Sequence, residues 1–162
     1  MIYELSGDIL LSSAKAIAHG VAPNDDFHAG LALQLREQEP AMYKDFRHFC
    51  HNSHPKAGGL WTWMGPNGQY LVNLFTQDAA YEHGSKPGQA SVSQVNHALH
   101  ALRALIEKEQ ISSVALPRLA CGVGGLDWNE VKPLIEKHLG DLNIPVYVYS
   151  TYHKGVKAVE AA

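Results

Sequence analysis

Cysteine is scarce: Cys50 and Cys121 are the two in 162 residues, far apart and with no CxxC spacing. At most one disulfide can be built from that, and none is needed, since a chain of this length buries about 70% of the surface its unfolded form exposes. A reducing compartment is therefore expected. Also missing is any apolar run near the ~20 residues a membrane span requires. The first eight residues carry an acid at Glu4 and no lysine or arginine, the wrong polarity for a secretory signal. A soluble, cytoplasmic, monomeric protein is the expectation. An excess of basic charge is absent too: 13 Lys and Arg stand against 16 Asp and Glu, a formal net charge of −3. That excludes a binder that meets duplex nucleic acid through a basic face. It leaves room for a small anionic ligand, because backbone N–H groups bind phosphate without net positive charge. Repeats, low-complexity stretches and linkers are lacking as well, which leaves one domain.

What is present is an alternation of strand and helix patterns. Residues 2–6, 15–19, 60–64, 69–75, 112–117 and 145–150 read as strands, Val146-Tyr147-Val148-Tyr149 most clearly. Gly65-Pro66-Asn67-Gly68 between two of them signals a hairpin. Val92, Val95, Leu99, Leu102 and Ile106 step by three and four, predicting a helix over about 88–109. Helices are also expected at about 29–39 and 41–52, parted by Glu39-Pro40, and from Asp127 onward, where Asp127 and Glu130 have capping-box spacing. Pro133 implies either a 3₁₀ first turn or a kink in that last helix, and Gly140 a stop. Together these predict an α/β fold: a mixed, roughly six-stranded sheet with helices on both faces. The stretch 153–162 is weakly patterned and expected to fray.

The chemistry concentrates in three loops that follow strands. Pro117-Arg118-Leu119-Ala120-Cys121-Gly122-Val123-Gly124-Gly125-Leu126-Asp127-Trp128 runs from a strand through glycines into a capped helix. Glycines let successive N–H groups turn inward and a helix start adds partial positive charge, so the stretch reads as an anion cradle or, more simply, a tight turn. It matches neither the Walker loop nor the dinucleotide fingerprint. Gly20 to Ala32 again follows a strand and opens a helix, with Asn24, Asp25 and Asp26 as ligand-facing groups or turn-formers. Gly7-Asp8-Ile9 follows the first strand.

Taken together, Ser6-Gly7-Asp8-Ile9-Leu10, the Asn24–Ala32 loop and the Pro117–Trp128 string resemble a macrodomain over roughly residues 2–150. The branch they resemble holds terminal ADP-ribose protein glycohydrolase and the DNA ADP-ribosyl glycohydrolase antitoxins. The resemblance implies a three-layer α/β/α sandwich spanning 1–152, with ADP-ribose, free or carried by a macromolecule, at the strand ends. By it, Asp8 accepts from the adenine amine and Ile9 lines that pocket. Asn24 lies near the distal ribose. His28, Ala29, Gly30, Leu31 and Ala32 clasp the diphosphate and distal ribose together with Leu119, Cys121, Gly122, Val123, Gly124, Gly125 and Leu126. Tyr149 or Tyr152 packs on adenine.

The same resemblance assigns catalysis to Lys86, a lysine before the long helix acting at the anomeric carbon of the distal ribose, against a plain solvated lysine in a Gly/Ser/Pro loop. The protein-directed enzymes add an acid in the glycine loop where this chain has Gly124, and Asp127 reads instead as a helix cap. Water activation then falls to the substrate's own phosphate, or to His28, Asp25 or His83. The expected activity is hydrolysis of ADP-ribosyl bonds on acidic side chains or nucleobases, with no cofactor. The alternatives are a phosphatase acting on phosphorylated ADP-ribose, a non-catalytic ADP-ribose reader, and a nucleotide-binding domain without that preference. His48, Cys50, His51 and His54 read as a solvated helix end and not a metal site.

Overall fold

Side-chain alternation along the strands sets the architecture. In the computed structural model, residues 1–79, 88–122 and 124–160 are described. The strands are β1 (Ile2–Gly7), β2 (Ala16–Val21), β3 (Leu60–Met64), β4 (Tyr70–Phe75), β5 (Val114–Pro117) and β6 (Val146–Tyr152). They form one sheet in the order β1-β6-β5-β2-β4-β3, parallel except for β3 against β4. The helices are α1 (Gly30–Gln38), α2 (Pro40–Ser53), α3 (Val92–Glu109) and α4 (Trp128–Leu139).

Ala16, Ala18, Val72, Leu74, Val114, Leu116, Val146 and Val148 face α3 and α4, which answer with Val95, Leu99, Leu102, Ile106, Val131 and Ile135. The intervening Ile17, Val21, Leu71, Phe75, Ala115 and Tyr147 face α1 and α2, where Leu35, Met42 and Phe46 complete a second core. Both faces of the central strands are buried, as a parallel sheet requires, and the result is the expected α/β/α sandwich. The turn at Gly65–Gly68 closes the β3–β4 hairpin, with Gly68 N–H donating to Gly65 O at 3.0 Å.

Three expectations need correction. Helix α3 starts at Val92 and not near 88, because Ser91 Oγ accepts from Gln94 N–H and caps it there, while Ala90 bridges to Gln77. Of the two readings of Pro133, the 3₁₀ start is the one overturned: Pro133 lies inside one α-helix running from Trp128 to Leu139. Finally, the stretch after Tyr152 is tied down. His153 N–H donates to Gly7 O at 3.0 Å, Asp8 N–H to Val156 O at 2.7 Å, and Gly155 N–H to the Asp8 carboxylate at 2.9 Å. Glu160 then accepts from Ser12 Oγ, Ser13 N–H and the Tyr149 hydroxyl. The segment is a strap laid along the end of β1.

Candidate functional site

The carboxyl ends of β2, β4 and β5 open into a cleft of about 270 Å³. Its walls come from the end of β2 (His19, Gly20, Val21), the following loop (Asp25, His28, Ala29), the start of α1 (Gly30, Leu31, Ala32), Gln77 beyond β4, and the segment after β5 (Pro117, Arg118, Ala120, Gly122, Gly124). Beside it is an apolar slot of similar volume, about 270 Å³, lined by Ile9, Gly30, Leu31, Gln34, Pro117, Tyr149 and Tyr152. The two cavities share Gly30, Leu31 and Pro117 and so run into each other.

The β2–α1 loop is held by Phe27, fully buried and in tilted contact with Phe46 at 4.8 Å between ring centres, with φ of 53°. Asp25 turns the chain: its carboxylate accepts from Phe27 N–H at 2.8 Å and Ala22 N–H at 3.4 Å. Burial raises the Asp25 pKa, partly offset by those two hydrogen bonds. Asp26 accepts from exposed His28, whose pKa is raised by that hydrogen bond. Asp25, Asp26 and His28 each bring one ligand-type atom within 4.8 Å of the others, the group among the described residues that could hold a cation. No ion or second buried donor marks it as a site.

The start of α1 is the electrostatic feature of the cleft. Ala29 occupies its N-cap without a side-chain hydrogen bond, so the first-turn amides of Gly30, Leu31 and Ala32 have no side-chain cap. Gly30 has φ of 60°, a value a side chain would strain. Uncapped N–H groups at a helix start attract an anion. By contrast α4, the helix after the glycine loop, is capped by Asp127, which accepts from Asn129 N–H at 2.9 Å. The uncapped helix start at the cleft is thus α1, and Arg118, Ala120, Gly122 and Gly124 contribute a wall. That wall is tight: Leu126 N–H donates to Ala120 O at 3.0 Å and Ala90 N–H to Gly124 O at 3.0 Å. A Cβ on Gly124 would stand 2.6 Å from Ala120 O, so glycine is required by close approach.

The expected ligand residues divide accordingly. His28, Ala29, Gly30, Leu31, Ala32, Gly122 and Gly124 line the cleft, and Ile9, Tyr149 and Tyr152 line the slot. Asp8 does neither: it is 6% exposed and its carboxylate is engaged by Leu10 N–H and Gly155 N–H. Asn24 stands behind the loop, its N–H donating to Cys50 Sγ and its carbonyl accepting from Arg47, while its buried Oδ1 has no partner among the described residues. Leu119 is fully buried core, and Cys121, Gly125 and Leu126 line neither cavity. Lys86, His83 and Val123 lie outside the described residues.

Among the polar lining residues, Gln77, Arg118, His19 and Gln34 were not among the expected ligand residues. Gln77 (7% exposed) donates through Nε2 to Gly88 O at 2.7 Å. Arg118 sits over the Trp128 ring at 5.7 Å. Buried His19 pairs through Nε2 with Asn73 Oδ1 at 2.7 Å. Gln34 donates to the Tyr152 hydroxyl at 3.1 Å. Gln77 lies two residues past the end of β4 and Arg118 directly follows β5, the position where open α/β sheets bind ligands, and that signal was available.

Comparison with known proteins follows the same line. A family model, that of the Macro domain, matches residues 28–135. The chain is 28% identical to the DNA ADP-ribosyl transferase-DNA ADP-ribosyl glycohydrolase fusion protein of Thermosipho africanus, over 96% of this chain and 43% of that one. It is 29% identical to the DNA ADP-ribosyl glycohydrolase of Thermus aquaticus, over 92% of this chain and 41% of that one. It thus spans less than half the length of both relatives. Among solved structures, the macrodomain of Thermus aquaticus DarG superposes with a TM-score of 0.81 at 27% identity, covering 93% of this chain and 98% of that chain.

Proposed function

The chain belongs to the macrodomain family, and on that premise we propose that it binds ADP-ribose across the paired cavities and hydrolyses ADP-ribosyl linkages. The observation that carries the reading is the uncapped start of α1, which borders a cleft lined in part by His19, Asp25, His28 and Arg118 on one side and a tyrosine-walled apolar slot on the other. A nucleoside diphosphate sugar has that order of parts: a flat base for the slot, a diphosphate for the amides, and a distal ribose for the cleft. Lys86 is proposed as the group that acts at the anomeric carbon of the distal ribose. Because two relatives are named for DNA, an ADP-ribosylated nucleobase is the first substrate to test and an ADP-ribosylated acidic side chain the second. Its setting is proposed to be the cytoplasm, as a monomer, in keeping with two free cysteines.

The test is release of ADP-ribose from a modified oligonucleotide and from a modified protein, alongside calorimetry with free ADP-ribose. Binding with release, lost in Lys86→Ala, is expected. Absence of binding at millimolar ligand overturns the reading, and full activity of Lys86→Ala overturns the lysine assignment alone. One observation favours a second reading, a non-catalytic ADP-ribose reader: among the described residues lining the cleft the ionisable ones are His19, Asp25, His28 and Arg118, with no lysine, and Gly124 stands where an acid was sought. Binding without release from either substrate would select it.

A further inference from the structure

We propose that Glu160, near the far end of the strap, is a positioning residue for the apolar slot: by holding the Tyr149 hydroxyl it fixes the aromatic wall against which a base docks. This rests on the ADP-ribose reading above.

Three of the slot's lining residues are tied to the strap. Tyr152 is the residue at which the strap leaves β6. Ile9 follows Asp8, whose N–H donates to Val156 O at 2.7 Å and whose carboxylate accepts from Gly155 N–H at 2.9 Å. Tyr149 donates its hydroxyl to Glu160 Oε2 at 2.7 Å. No residue of 153–160 itself lines the slot or the cleft, so the strap acts on a ligand through the walls it holds.

Tyr149 is buried, and that burial, followed by the Glu160 hydrogen bond, raises the pKa of its phenol, which stays a donor. A donor placed there needs an acceptor, because a hydrogen bond left unmade away from water is costly. Glu160 is held in turn. Its Oε2 also accepts from Ser12 Oγ at 2.6 Å, its Oε1 accepts from Ser13 N–H at 2.9 Å, and Ser12 Oγ accepts from Ala14 N–H at 3.1 Å. The carboxylate is therefore located by the turn that leads into β2, and it passes that location on to the Tyr149 ring. Apolar packing does little for this end of the strap: Ala158 touches the second core, whereas Val156 and Val159 are exposed. Without Glu160 the ring has to be ordered by the ligand itself, and ordering a wall at the moment of binding lowers affinity.

The experiment is a double-mutant cycle read by calorimetry with ADP-ribose, on wild type, Glu160→Ala, Tyr149→Phe and the double variant. Glu160→Ala is expected to weaken binding by about tenfold in the wild-type background. In the Tyr149→Phe background, where the hydroxyl is gone, the same change should cost about twofold or less. In the release assay the loss should fall on KM, with kcat kept within about twofold, since the strap lines no part of the cleft proposed for the distal ribose. A reciprocal measurement needs no variant. Lys154 and Lys157 are exposed in the strap, and saturating ADP-ribose should slow tryptic cleavage after them by a similar factor, because coupling between two sites is mutual. Unchanged binding in Glu160→Ala, equal losses in the two backgrounds, or strap cleavage indifferent to ADP-ribose overturns the proposal while leaving ADP-ribose binding intact. If wild type does not bind ADP-ribose, the functional reading itself has failed and this assignment falls with it.

Discussion

His19 combines two roles at one position, lining the cleft while sealing the core beneath it. It is 2% exposed, edge-on to Phe27, and bonded to Asn73, whose Nδ2 donates to Trp61 O. That makes Asn73 Oδ1 the acceptor and His19 Nε2–H the donor. Burial lowers its pKa from 6.5 to about 4, against the opposing pull of the Asn73 hydrogen bond. Between those values the unfolded chain takes up a proton that the folded one refuses. The stability His19 contributes is therefore present above pH 6.5 and lost as pH falls toward 4, by about 3 kcal/mol in all. His19→Gln keeps a donor toward Asn73 without titrating, so its urea midpoint should fall less than that of wild type between pH 7.5 and 4.5. A second residue-scale expectation concerns Gly124. Its Cβ position is blocked by Ala120 O at 2.6 Å and the Ala90 methyl at 3.0 Å. Gly124→Asp should therefore push the loop open, weaken ADP-ribose binding by about tenfold or more, and add no turnover. Calorimetry and the release assay check both halves.

Among the elements, α4 carries an evident local cost. Pro133 is exposed and sits inside the helix, where it donates no hydrogen bond to the carbonyl of Asn129. Pro133→Ala should raise unfolding stability by about 1 kcal/mol or more, measured by chemical denaturation, with ADP-ribose affinity unchanged. Elements also show what a sequence makes legible. The six strands announced themselves because β-branched and aromatic residues alternate across a sheet buried on both faces, and the residue Asp127 was readable as a cap from its type and place. Less accessible was the division of labour between helix starts. Asp127 caps α4 and so removes it as an anion site, whereas Ala29, an unremarkable residue in a string, leaves α1 open. The strap was invisible for a related reason: its hold depends on backbone N–H groups meeting Asp8 and on Glu160 reaching Ser12 and Tyr149 across the fold. Gln34 and Tyr152 likewise become neighbours only once α1 lies beside β6.

For the molecule as a whole, the net charge of −3 now bears on how a ligand is held. Backbone amides at the start of α1 face the cleft, and Arg118 is the arginine among its described lining residues. With so few counterions to release, ADP-ribose affinity should drop by less than about tenfold between 50 and 500 mM salt, and attaching the group to duplex DNA should steepen that slope little. Titration at several salt concentrations decides it; a steep slope would mean that cationic side chains hold the diphosphate.

The pairing of β1 with β6, fastened by the strap, also bears on how the chain is made. The strand synthesised first has its sheet partner at Val146–Tyr152, and its carboxyl end is held by residues up to Glu160. At ~5–20 residues per second, on the order of ten seconds separate the emergence of Ile2–Gly7 from that of its partner. During that interval β1 must remain without its native neighbour while the rest of the sheet assembles around β2, β4 and β5. The β1 edge of the sheet is thus the last part of it that can form, and the apolar slot, lined by both Ile9 and Tyr149, is completed with it.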